Sequence, residues 1–63
     1  MDYKYKVIGN NVQEAVDKLI GYGFVFAYNN KDEIISPWEE EKLNNVIENL
    51  GLNISIEFLE SRL

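Results

Sequence analysis

The apolar residues of this 63-residue chain switch between a period of two and a period near 3.6, and that alternation constrains the fold more than any other property. Tyr3-Lys4-Tyr5-Lys6-Val7-Ile8 alternates, with Tyr3, Tyr5 and Val7 on one side and the lysines on the other, as a half-buried strand does. Gly9-Asn10-Asn11 breaks the pattern. Val12, Ala15, Val16, Leu19 and Ile20 then fall at helical spacing. Asn11 is placed to cap that helix, Glu14 stands in a capping-box relation to it, and Gly21 is the expected left-handed stop. Phe24 to Tyr28 reads as a second strand, aromatic on one side and small on the other. Asn29-Asn30-Lys31-Asp32 is turn chemistry, and Glu33-Ile34-Ile35 is a short return strand, so the stretch is a hairpin.

Ser36-Pro37-Trp38-Glu39 predicts a second helix start, with Ser36 as N-cap, Pro37 in the first helical position and Glu39 closing the box. Leu43, Val46, Ile47 and Leu50 make its buried stripe. Gly51 ends it, with Leu52 placed for the apolar contact of a Schellman ending. Leu52, Ile54, Ile56 and Phe58 alternate with polar residues as a last strand, and Glu60 to Leu63 is expected to be a frayed tail or a short turn. The order is β-α-β-β-α-β. It predicts an α+β fold of the ferredoxin-like, split βαβ kind, with two helices on one face of an antiparallel four-stranded sheet, in one domain over residues 1–63. A three-stranded α+β sheet with a mobile tail is the alternative.

A chain of this length buries only about 60% of the surface its unfolded form exposes. The usual covalent and metal staples are missing, because there is no Cys and no His. The same absence removes the Ser-His-Asp and Cys-His constellations. Gly21-Tyr22-Gly23 lacks the Lys-Ser/Thr of a phosphate loop, and Asn29 to Glu33 lacks the spacing of a calcium loop. The sequence therefore predicts a protein that is not an enzyme and takes no cofactor and no metal. The longest apolar run, Phe24 to Tyr28, is far shorter than a membrane span, so the expectations are no membrane partner and a cytoplasmic location.

Charge narrows the partners. Residues 1–31 carry a net +1 and residues 32–63 a net −6, giving −5 for the chain and a pI near 4.4. So acidic a chain has few cations with which to neutralise phosphates, which disfavours direct nucleic-acid binding. On a helical wheel, Glu41 and Glu48 point away from the apolar stripe together with Asn44 and Asn45. With Glu40 they make an acidic, amide-rich outer face. Trp38, about 130° from the centre of the stripe at about 100° per residue, is the candidate anchor beside it. These six residues are the expected partner-binding site.

The corresponding function is a small, acidic, non-enzymatic binding module that docks this helix on a protein with a basic, nucleic-acid-handling surface. Inhibitors of the phage counter-defence, antitoxin or immunity type have this size and acidity. Asn, Ile, Lys and Tyr make up 24 of the 63 residues, and all have A/T-rich codons, as expected of a low-GC bacterium or phage. A second reading starts from element order. Over most of the chain it resembles the amino-acid-sensing ACT domain, which implies a regulatory ligand module that pairs side by side as a homodimer. Ile8-Gly9-Asn10-Asn11 places a glycine near where such domains bind ligand, without their Pro-Gly pair. A third reading is an assembly subunit that pairs through the edge of the Leu52 to Phe58 strand.

Overall fold

A computed structural model describes residues 1–62, the last of them by its backbone only. Six elements follow one another: β1 (Asp2–Gly9), α1 (Val12–Gly21), β2 (Ala27–Tyr28), β3 (Glu33–Ser36), α2 (Glu40–Asn49) and β4 (Ile54–Arg62). The sheet order is β2-β3-β1-β4 with antiparallel pairing throughout. This is the ferredoxin-like βαββαβ arrangement. The inward residues of the strands, Tyr5, Val7, Ile34 and Ile56, meet Val16 and Leu19 of α1 and Leu43 and Ile47 of α2 in one core, so both helices cover the same face.

The register accounts for that core. Tyr5 stands opposite Ile34 on one side and Phe58 on the other, and Val7 opposite Ile56. The Tyr5 and Phe58 rings meet edge to face with centroids 6.1 Å apart, a favourable aromatic geometry. Between the Lys4–Glu60 and Tyr5–Phe58 pairs β4 carries an extra residue, Leu59, a bulge that returns Glu60 to the open side of the sheet. There Lys4 Nζ lies 3.4 Å from Glu33 and 3.7 Å from Glu60, so its charge is shared between the two neighbouring strands. Glu33 is also the acceptor of the Asn29 side-chain amide at 2.9 Å. That bond, with Lys4 beside it, holds its carboxyl below the usual range.

Several boundaries differ from the sequence expectation, each for a local reason. Ser36 is the last residue of β3, paired with Tyr3, and is not an N-cap. Its hydroxyl donates to the Phe24 carbonyl at 2.5 Å and accepts from the Trp38 N–H at 3.1 Å, bonds that tie it to the chain on either side of β3 and not to the first turn of α2. α2 accordingly begins at Glu40, with Glu39 extended at the cap position and no side-chain cap bond. Asn11 does not cap α1 with its side chain either. It takes a left-handed conformation (φ 55), and Glu14 lies 3.9 Å from Lys18.

The stop of α1 is Gly23, not Gly21. Gly23 has φ 87, and the Gly23 N–H to Ile20 O and Phe24 N–H to Leu19 O bonds form a Schellman ending. α2 ends as expected. Gly51 has φ 67, and the Gly51 and Leu52 N–H groups donate to Glu48 O and Ile47 O. Because Phe24 is consumed in ending α1, β2 shrinks from the expected Phe24 to Tyr28 to two residues. Val25 turns into the core, and Phe26 is exposed. β4 begins two residues late and runs on through Glu60 and Ser61 to Arg62, where a tail was expected. Leu63 lies outside the described residues.

Burial of Tyr5 has a pH signature. Its ring is fully excluded from solvent and its hydroxyl donates to the Trp38 carbonyl at 2.7 Å. Burial, reinforced by the Glu40 charge, pushes the hydroxyl pKa up from 10.0 to about 12. The folded state thus holds this proton more tightly than the unfolded chain. The resulting stability is complete below about pH 10 and is lost as pH rises towards 12. Denaturation followed by circular dichroism should show the midpoint falling across that window, and Tyr5→Phe should flatten the fall. An unchanged profile in Tyr5→Phe would assign the alkaline loss to other groups.

Candidate binding surface

α2 presents two sides because Leu43 and Ile47 are held in the core while Glu41, Asn44, Asn45 and Glu48 are exposed. Spacings of three, four and seven residues stack these four on one line of the helix, pointing away from the sheet. None of these carboxylates has an ion-pair partner among the described residues. The lysines contrast with them. Lys4 and Lys18 pair with acids, Lys6 donates to the Lys31 carbonyl, and Lys42 lies 5.7 Å from the Trp38 ring centroid.

Of the six residues singled out in the sequence, the helix brings four together and sets two apart. Glu40 is exposed and, at about 100° per residue, stands off the outer line on the flank of the helix, and its charge adds to the burial that holds the Tyr5 proton. Trp38 precedes the helix, so wheel geometry does not apply to it. Its backbone is fixed at both ends by Ser36 and Tyr5, and its ring meets Phe24 edge to face at 5.8 Å. It remains 37% exposed. Its ring also lies beside the Lys42 ammonium.

Helix stabilisation accounts for part of the acid. Glu40 and Glu41 occupy the first turn, where the helix dipole favours negative charge. Glu48 has no such reason. It sits in the last turn, at the negative end, where no basic residue offsets it.

Two further aromatics, Tyr22 and Phe26, are 64% and 62% exposed. Tyr22 stands between two glycines, outside any periodic stripe of the sequence. Phe26 falls within the expected Phe24 to Tyr28 strand but outside the two residues that became strand.

The opposite end of the molecule holds a shallow cleft of about 180 Å³ between the start of α1 and the loop before β4, lined by Asn10, Asn11, Glu14, Lys18, Leu52 and Asn53. Among the described residues no group of three or more acidic, His or Cys side chains is placed to hold a metal ion. No helix among the described residues is long and apolar enough to cross a membrane. Comparison of the chain with protein-family models, with curated proteins and with solved structures gave no match.

Proposed function

We propose that the protein is a non-enzymatic, acidic protein-binding module that presses the outer line of α2 against a basic surface, as an antagonist of a nucleic-acid-handling protein does. The observation that carries this reading is the exposed row Glu41, Asn44, Asn45 and Glu48, which finds no cation on its own chain among the described residues. Carboxylates spaced along a helix imitate a row of phosphates. They raise the encounter rate with a cationic groove, an effect that salt suppresses. Placing Glu48 at the negative end of α2 is a small local cost to the helix, which a role outside the fold explains.

The test is charge reversal at exposed positions. Glu40/Glu41/Glu48→Lys should keep the wild-type circular dichroism spectrum and lose the basic partner that wild type retains from a nuclease-treated bacterial lysate. With that partner purified, the association rate should fall tenfold or more, on the order of the steering effects known for charged interfaces, while dissociation changes little. Equal association by the triple variant would remove the acidic line from the function.

A second reading, a small-molecule module, is favoured by the cleft at Asn10, Asn11 and Asn53, where an ion pair between Glu14 and Lys18 offers both signs of charge. That module would tolerate the triple charge reversal and respond instead to substitutions around Gly9 and Asn10.

A further inference from the structure

Alternating strand directions bring the end of α1, the 22–26 segment, the 36–39 segment and the start of α2 to one end of the molecule. The Ser36 hydroxyl on the Phe24 carbonyl and the Phe24 ring against Trp38 tie two of these segments directly. That end carries the exposed aromatics Tyr22 and Phe26, the partly exposed Trp38 and Ile20, and the exposed acids Glu39, Glu40 and Glu41.

We propose that this aromatic end is the energetic centre of the docking surface, with Tyr22, Phe26 and Trp38 as anchors and Glu39, Glu40 and Glu41 as rim. Its occupant is a protein segment that shows apolar side chains framed by Lys or Arg. The inference rests on the reading of the protein as a protein-binding module and moves the centre of that site from the outer line of α2 to its N-terminal end.

Folding does not account for the exposed rings. Tyr22 lies at the C-cap of α1, where the ending depends on the Gly23 backbone and not on the Tyr22 side chain. Both backbones are nonetheless held. The Tyr22 N–H donates to Lys18 O at 3.0 Å and the Phe26 N–H to Ile35 O at 2.8 Å. Large rings displayed from fixed backbone lose little freedom on binding, and Tyr and Trp dominate interface energetics.

Charge selects the occupant. A second copy would set the Glu39 to Glu41 run near its own kind, and an anionic lipid surface would repel it. A basic rim around an apolar plug satisfies both halves of the patch.

The test uses the whole chain and three helical peptides. One has a leucine face flanked by Lys and Arg, one has every Leu replaced by Ser, and one has every Lys and Arg replaced by Glu. The leucine-basic peptide should bind at least tenfold tighter than the other two. Amide shifts should centre on residues 20–26 and 38–41. Tyr22→Ala/Phe26→Ala should weaken it tenfold or more with an unchanged thermal melt, while Glu57→Lys, exposed on β4 away from this end, stays within about twofold.

Equal binding of the Leu and Ser peptides, with shifts centred on Glu41, Asn45 and Glu48, would overturn the aromatic end and leave the acidic line of α2 standing. Equal binding of the Glu peptide would overturn both, as would no binding by any of the three. Concentration-dependent dimerisation abolished by Tyr22→Ala/Phe26→Ala, seen by sedimentation, would make a second copy the occupant and overturn the partner proposed.

Discussion

Gly9→Ala should remove about 3 kcal/mol or more of stability, a large part of the roughly 3–9 kcal/mol typical of a chain this size. Gly9 ends β1 at φ 148, a backbone conformation that side chains rarely adopt. A Cβ added there would lie 2.6 Å from the Asn53 carbonyl oxygen and 3.0 Å from the Ile54 Cα. Both atoms belong to backbone where β4 starts, so no side-chain rotation relieves the clash. Either the β1–β4 ladder opens at its Gly9–Ile54 end or the β1–α1 turn moves.

Gly21→Ala is the matched control. Gly21 is helical, and nothing lies within 4 Å of the added carbon. The better helix former should raise stability by about 0.5 kcal/mol. Urea unfolding of the two variants checks both signs. A Gly9→Ala midpoint equal to wild type would show that β1 and the start of β4 do not approach so closely.

Ser36→Ala should cost about 2 kcal/mol, because it removes the hydroxyl that bonds two backbone groups and joins the 22–26 segment to the 36–39 segment. Ser36 is wholly excluded from solvent. Its loss strands the Phe24 carbonyl and the Trp38 N–H, both partly buried, without their partner. Ser36→Asp separates this role from a cap. Asp is as good an N-cap as Ser, so at a true cap it would preserve stability. At the end of β3 it would bury a carboxylate facing the Phe24 carbonyl, two acceptors with no proton between them, and should be worse than Ala. An Asp variant as stable as wild type would restore Ser36 to the helix start. The same comparison bears on the binding surface, since Ser36 and Tyr5 together fix the backbone that displays Trp38.

Of the candidate surface, the line Glu41, Asn44, Asn45 and Glu48 was legible in the sequence, because exposure within one regular helix follows from its 3.6-residue period alone. The same rule does not reach Trp38, which lies before the first helical residue, and it sets Glu40 on the flank, about 100° from Glu41. Phe26 was missed because alternation was extended over a segment of which only Ala27 and Tyr28 became strand.

Local chemistry in the sequence was enough to determine the element order, the inward face of β1, the centres of both helix stripes, the Gly51 ending and the polar turn at Asn29 to Asp32, since each depends on neighbours a few residues apart; Ile20 and Leu50, expected at the ends of those stripes, are exposed. In that turn the Asn29 side chain accepts from the N–H groups of Lys31 and Glu33, a bond pattern wholly internal to five residues. Tertiary structure decided other boundaries: Ser36 joined β3, and β4 ran on to Arg62 past the Leu59 bulge. The shift from Gly21 to Gly23 was local, closed by bonds to Ile20 and Leu19 in the last turn of α1. At Ser36 and along β4, hydroxyl and backbone groups took the partners that Phe24 and β1 brought to them, because a partly buried polar group left unpaired costs more than a good cap contributes.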